Sequence, residues 1–532
     1  MTANASRRID RCRHRGSATT AVELRETHCS WVLLIGDRAV KLKKPLDLGF
    51  VDWRTVGQRE QACRREIQLN RRFAPDVYRD VYAVCDSSGT VCDWLVVMDR
   101  MPANLRLSTM IAEGHPVDDA LRSVARILAV HHATARRSAR IDANGGPAAL
   151  LARWSSNLAS LADSRVIGAE TLTALTELAG AYVSGRHALF RQRVAEGRIR
   201  DGHGDLLAED IFCLADGPRI LDCLEFDDDL RAVDGVDDAA VLAMDLERLG
   251  APELAREFIS RFVEFADDPC PPSLIHHYIA YRAVMRAKIA GIRVRQGDPA
   301  AADEARQLAS IGLRHLLLGR PTLVLVGGLA GTGKTTIAAA LADHLGHVVL
   351  RSDRIRKEIS DLDPNRRVEI PPDLYSPSTT EATYRTMLTR ARLLLQRGES
   401  VLLDATWQAA RMRDRARAVA DDTMSVVQEL CCTAPQEVAD ARIQQRNALT
   451  EDASDATVSV AHRLAAAYEP WPEASVIDTS TTRADSFAQA LHAVRLTDRY
   501  VLARAEAAIT HQAPVTRESP VGAPPQSVGG VI

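Results

Sequence analysis

Aromatic residues are scarce, at 5% of 532 positions, too thin a supply for the stacking platforms on which single-stranded nucleic acids bind. Net charge is nearly absent too. Lys and Arg number 67 against 70 Asp and Glu, and the resulting −3 provides no global field to draw in nucleic acid or an anionic membrane. No apolar run reaches the roughly 18 residues a membrane helix needs, and the N-terminal arginines (Arg7, Arg8, Arg11, Arg13 and Arg15) precede no apolar stretch of signal-peptide length. The expected location is therefore the cytoplasm, with no membrane partner and with nucleic acid disfavoured as a partner. The ten cysteines are scattered, and only Cys431 and Cys432 are close. No CxxC ladder or Cys/His ligand cluster occurs, so reduced, packed thiols are expected rather than disulfides or zinc.

What is present is the composition of a globular chain, 46% hydrophobic and 26% charged. At roughly 100 to 200 residues per domain the length implies two to four domains. Residues 1–25 read as a disordered leader and 513–532, rich in Pro, Gly and Ser, as a disordered tail. WVLLIGDRAVKLKK, from Trp31 to Lys44, predicts two strands turning at Gly36 and Asp37. Helical spacing follows at about 58–73 and 117–137, with a short buried strand at 94–98, so a small sheet lobe precedes a helical one. The stretches 145–195 and 236–318 are Ala/Leu/Arg-rich with helical period. A helix end near Gly319, followed by Pro321, marks the boundary between a domain at 26–318 and one at 320–498. Beyond it TLVLVGG, VVLRS, SVLLDAT, SVVQELCC and ASVIDTS alternate with helical segments, the pattern of a parallel α/β sheet covered on both faces.

The first of those strands runs into Gly328, Leu329, Ala330, Gly331, Thr332, Gly333, Lys334, Thr335 and Thr336, which match the phosphate-loop pattern GxxxxGK[ST]. Glycines let backbone amides face phosphate oxygens without a Cβ in the way, and the next helix adds its positive N-terminal end. Lys334 would sit near the β and γ phosphates, and the Thr335 hydroxyl would ligate Mg²⁺. Asp353 and Arg356, in SDRIR after the next strand, fall at the crevice edge of an open α/β sheet. A carboxylate there can accept a hydroxyl proton, and an arginine can clamp an anion; a capping Asp with a surface Arg is the plainer reading. Asp404 ends a buried strand as a second Mg²⁺ candidate, and Arg442 and Arg446 share a helical face as lid arginines or as a solvated basic face.

This set resembles the compact P-loop kinases that include gluconate kinase, the polynucleotide 5′-kinase domain and zeta-toxin-like kinases, over about 320–498. The first half carries a second constellation. RDGHGDLLAEDIF, with His203, Gly204 and Asp205, is followed by an apolar strand pair that delivers Asp222. It resembles the aminoglycoside phosphotransferase branch of the protein-kinase-like bilobal fold. That resemblance implies Asp205 as catalytic base or hydroxyl-orienting group and Asp222 as a Mg²⁺ ligand. It also implies Lys41 as the phosphate-binding lysine, with Lys43 on the same strand face as the alternative, and Glu66 as its ion-pair partner. Val97 to Met101 would receive adenine, Glu225 would line the site, and Asp237 would be a structural aspartate. Asp210 stands where the family has a metal-binding Asn, and THCS replaces a glycine-rich turn, which puts competence of that half in question. The acidic run Glu225, Asp227, Asp228 and Asp229 reads as a solvated turn.

The whole resembles a bacterial architecture of bifunctional phosphotransferase/ATP-binding proteins, with an aminoglycoside-phosphotransferase-like half fused to an AAA-type P-loop half. The fold expected is therefore α/β and α+β in two domains. The function expected is ATP- and Mg²⁺-dependent phosphoryl transfer to a small hydroxylated molecule. The rivals are a nucleotide-dependent regulatory protein and a polynucleotide 5′-kinase.

Overall fold

The computed structural model describes residues 22–27, 29–47, 52–364, 373–447 and 465–495. By contact, the chain falls into two compact units, residues 1–150 with 187–271 and residues 151–186 with 272–532. The helices Ala169–Gly185, Pro272–Arg295 and Ala301–Leu318 thus group with the sheet that follows them, although the chain order suggests a single cut at Gly319. Buried polar contacts explain the grouping. Arg186 donates to the carbonyl of Thr423 and, at 3.1 Å, to Ser425 Oγ, while Ser273 Oγ donates to the Gly398 carbonyl at 2.7 Å. These contacts satisfy turns at the ends of the sheet unit's own elements.

In the first unit an antiparallel five-stranded sheet has the order β1-β2-β3-β5-β4, with β1 Val22–Glu26, β2 Ser30–Ile35, β3 Arg38–Lys43, β4 Tyr78–Cys85 and β5 Val91–Asp99. The leader expected to run to residue 25 lies outside the described residues up to 21, and its last positions are a strand. Val22 to Glu26 register against Ile35 to Trp31, so ladder hydrogen bonds order a segment with little apolar content. The tail at 513–532 lies outside the described residues. The β2–β3 hairpin is as expected: Ile35 faces Arg38, and Gly36 takes the positive φ, 58°, of a two-residue turn. The helix Val56–Asn70 packs on this sheet, started by a capping box between Thr55 and Gln58. Short strand pairs follow, β6 Ile199–Asp201 with β9 Ala232–Asp234 and β7 Ile211–Leu214 with β8 Gly217–Ile220, before the buried helix Gly235–Arg248.

The second unit carries a five-stranded parallel sheet in the order β11-β12-β10-β13-β14: β10 Thr322–Gly327, β11 Val348–Arg351, β12 Val401–Asp404, β13 Val426–Thr433 and β14 Ser475–Asp478. Its strands are continuous apolar runs because both faces are covered. Leu323, Leu325, Val401 and Leu403 pack on one side with Tyr384, Met387 and Trp407, while Val324, Val326, Leu402 and Ile477 pack on the other with Ile337 and Leu341. β10 is central, and its carboxyl end opens where neighbouring strands were laid down in opposite directions of chain order, the usual ligand crevice. Among the described residues no helix is long and apolar enough to cross a membrane, and the nine cysteines are free thiols.

Candidate functional site

β10 leads directly into the loop 328–333, and the helix Lys334–Leu345 begins at its end. Gly328 and Gly331 hold positive φ angles of 131° and 81°. A Cβ on Gly328 would stand 2.3 Å from the Cys432 carbonyl oxygen, and one on Gly331 would stand 2.4 Å from that of Ala439. The loop is therefore wound tightly against β13 and the helix Gln436–Asn447, which only glycine permits.

Lys334 Nζ rests 3.5 Å from the Leu329 carbonyl across the loop. Thr335 Oγ1 donates to Asp404 Oδ2 at 2.8 Å, joining the helix start to the end of β12, and Arg351 Nε approaches the same oxygen at 3.5 Å. Burial pushes the Asp404 carboxyl up from the usual range. The Asp353 carboxylate adds to the rise, and Lys334 and Thr335 oppose it. Asp353 occupies the first turn of the helix Ser352–Glu358. Arg356 on that helix is buried, donates to the Leu374 carbonyl and Thr380 Oγ1, and stacks 4.8 Å from the Tyr375 ring centre. Among the described residues these partners are neutral.

Arg442 donates to the carbonyls of Gly331 and Thr479, reaching the latter at 2.6 Å. Together with Lys334, Thr335 and Thr336 it lines a cavity of about 450 Å³, closed on the far side by Thr479, Thr481 and Arg483. The sequence reading missed this far wall: DTSTTR after β14 reads as a polar turn, and only the parallel register of β14 on β13 brings it to the loop. Arg446 lies on the helix Gln436–Asn447, but its side chain falls outside the described ones.

The first unit brings together its own expected residues. Lys41 Nζ donates to Asp222 Oδ1 at 2.7 Å and lies 3.0 Å from Glu66 Oε1. Burial alone would lower the Lys41 ammonium, but Asp222 and Glu66 drive it well above its ordinary value, and Lys41 in turn holds the Asp222 carboxyl low. Asp222 follows β8 with φ 59°, a left-handed turn for a non-glycine residue, and its amide donates to Tyr78 Oη at 3.3 Å. Asp210 ends the short helical turn Ala208–Asp210 that leads into β7. Its carboxyl is pushed well up by burial and by the charges of Asp222, Glu209 and Asp205, which places those four carboxyl groups in one neighbourhood. The acidic run is braced as well as solvated: Asp228 pairs with Arg65 and Arg231, and Asp229 with Arg140.

Beside Asp237, the aspartate expected to be structural, Asp238 carries hydrogen bonds that hold the His203–Asp205 turn. Its two oxygens accept the amides of His203 and Gly204, each at 2.8 Å, and Oδ2 also meets His132 Nε2 at 2.8 Å. These partners keep its carboxyl low despite complete burial. Adjacent aspartates at a helix start differ by about 100° in direction, and sequence alone does not fix which one faces the turn.

Among the described residues no group of three or more His, Cys, Asp or Glu is gathered to hold a metal unaided. Mg²⁺ requires less of the protein, because it is bound through one or two carboxylates together with substrate phosphates and water. The hard-oxygen pair Thr335 and Asp404 fits that role in the second unit. Asp222 and Asp210 fit it in the first, where a cation would relieve the crowding of charge on Asp210.

A parallel sheet whose central strand ends in a GxxxxGKT loop, with Asp404 beside Thr335, defines a P-loop, kinase-like domain in the C-terminal half. In accord with this, the family model described as an AAA domain matches residues 323–471. The chain is 42% identical over 475 residues to the uncharacterized protein Rv2004c of Mycobacterium tuberculosis, an alignment covering 88% of this chain and 95% of that one. It belongs to the family of that mycobacterial protein. Among solved structures it is similar to a gluconokinase from Sinorhizobium meliloti, at 18% identity over 36% of this chain and 98% of the other, with a TM-score of 0.23. It is also similar to a choline/ethanolamine kinase family protein from Mesorhizobium loti, at 13% identity over 56% of this chain and 92% of the other, with a TM-score of 0.33.

Proposed function

We propose that the P-loop unit is an ATP-dependent phosphotransferase of the cytoplasm that acts on a small hydroxylated acceptor. The observation that carries this reading is the Thr335–Asp404 hydrogen bond at the mouth of a cavity that Lys334 and Arg442 also line. The loop amides and Lys334 hold the phosphates, Arg442 closes on them from the opposite wall, and the space toward Thr479 and Thr481 takes the base. Asp353 accepts the proton of the attacking hydroxyl. Arg356, whose partners among the described residues are the Leu374 carbonyl and Thr380 Oγ1, would supply charge to an anionic group near the acceptor. Mg²⁺ bound by Thr335 and Asp404 would neutralise charge on the transferring group.

In the first unit, the arrangement of Lys41, Glu66, Asp222 and Asp205 supports a second nucleotide site, with Asp205 as the hydroxyl-orienting carboxylate. The test is mass-spectrometric detection of an ATP-dependent phosphorylated product from a cell-extract metabolite pool, repeated with Lys334→Ala, Asp353→Ala and Asp205→Ala. Product that survives Lys334→Ala removes the P-loop from the mechanism. ATP binding without product from either site points to a regulatory role, and product only on oligonucleotide ends identifies a nucleic-acid acceptor.

A further inference from the structure

Two lysines hold Glu66. On β3, Lys41 and Lys43 face the same way because strand side chains alternate. Both ammonium groups reach the one carboxylate on the helix Val56–Asn70, Lys41 at 3.0 Å from Oε1 and Lys43 at 2.7 Å from Oε2. Their hydrogen bonds are divided unequally. Lys41 donates to Asp222, and the fully buried Glu66 Oε1 accepts no hydrogen bond. Lys43 donates to Glu66 Oε2 at 2.7 Å and to Glu225 Oε1 at 2.6 Å, and its ammonium sits 4.4 Å from the centre of the Trp53 ring.

Exposure follows the same division. Lys43 and Glu66 are wholly enclosed, while the Lys41 side chain keeps 14% exposure and that of Asp222 keeps 51%. A buried carboxylate that loses its cation is strongly penalised. If Lys41 were the sole partner of Glu66, turning its ammonium toward a nucleotide phosphate would be opposed by that penalty. Lys43 removes the opposition, since Glu66 keeps a hydrogen-bonded cation throughout.

We infer that Lys43 is a positioning residue: with Glu225 it clamps Glu66 permanently, leaving Lys41 free to exchange Asp222 for the phosphates of a nucleotide. The inference rests on the nucleotide site assigned to this unit above. It makes Lys41 the mobile cation and Lys43 the fixed one.

The test uses the full chain carrying Lys334→Ala, which silences the P-loop, and calorimetric titration with Mg·ATP and, separately, with adenosine. Adding Lys43→Met should weaken Mg·ATP by about tenfold or more and leave adenosine nearly unchanged, because Lys41 is then captured by Glu66 while the base contacts persist. Adding Glu66→Gln to Lys43→Met should restore Mg·ATP affinity, because the trap is removed. Equal losses for ATP and adenosine, or no restoration by Glu66→Gln, would overturn the inference. If the Lys334→Ala protein binds neither ligand, the second nucleotide site itself fails, and ligand-free hydrogen exchange judges the clamp. The helix Val56–Asn70 should then exchange faster in Lys43→Met than in Lys41→Met, and equal rates refute it. Where Lys43→Met does not fold, Glu225→Gln, which removes one charge of the clamp, is put through the same comparisons.

Discussion

Thr335 Oγ1 donates to Asp404 Oδ2 at 2.8 Å, although the two residues lie on a helix start and a strand end separated by two crossovers. The bond ties the phosphate loop to the neighbouring strand before any ligand arrives. Under the function proposed above, two groups that would act on one transferring phosphoryl group are thereby held together on a helix start and a strand end.

Asp404→Asn should keep the packing and an acceptor for Thr335 but lose the charge. Metal-dependent turnover is expected to fall by roughly 100-fold or more, the scale of removing a preorganised electrostatic group. Steady-state ATP turnover against Mg²⁺ concentration measures this, and unchanged turnover at saturating Mg²⁺ would exclude Asp404 from the metal site.

Gly331→Ala places a Cβ 2.4 Å from the Ala439 carbonyl at φ 81°. The loop or the helix Gln436–Asn447 must shift, so nucleotide binding should be lost at a stability cost of about 1–3 kcal/mol. Fluorescent-nucleotide binding combined with chemical unfolding separates the two effects.

Asp238→Ala leaves the buried amides of His203 and Gly204 and the His132 imidazole without their acceptor. A loss of about 3–5 kcal/mol is expected, the range for breaking a buried charged network. Hydrogen exchange at His203 and Gly204 should rise sharply, and protection at the wild-type level would show that another group holds the turn.

Burial pushes the His277 imidazole down to about 3, assisted by the charges of Arg186 and Arg153. Unfolded, it titrates near its ordinary 6.5, so below that pH the unfolded chain binds the extra proton first and stability falls as pH falls toward 3. Each pH unit in that window costs about 1.4 kcal/mol. His277→Gln should recover about 2 kcal/mol of the stability lost between pH 7 and pH 5, read from denaturant unfolding at both values. An unchanged pH difference would mean that the imidazole takes up its proton alike in the folded and the unfolded chain.

A fragment beginning at residue 320 lacks Arg186 and Ser273, whose donors cap the Thr423 and Gly398 carbonyls. It should be poorly folded, whereas a fragment that also contains the helices of 272–318 should be partly rescued. Circular dichroism melting of the two compares them directly, and a cooperative melt of the shorter fragment matching the full chain would refute the dependence.

Local chemistry was legible in the sequence wherever one element carried all of it. The Gly36–Asp37 hairpin, the five apolar strands of the parallel sheet and the run Gly328 to Thr336 each follow from residue types at fixed spacing, because a turn, a buried strand and a phosphate loop impose backbone demands that few residues meet. Lys41, with Lys43 as the alternative, and Glu66 were legible as a pair only through the family resemblance. Long-range direction was not. That Asp238 reaches the His203–Asp205 turn, how Lys43 and Glu225 share the charge of Glu66, and how Thr479 and Thr481 come to wall the phosphate loop depend on helix phase and strand register. So does the attachment of the helices at 151–186 and 272–318 to the P-loop sheet. These are set by packing between segments distant in the chain, and the packing energy belongs to the assembled core rather than to any stretch of sequence.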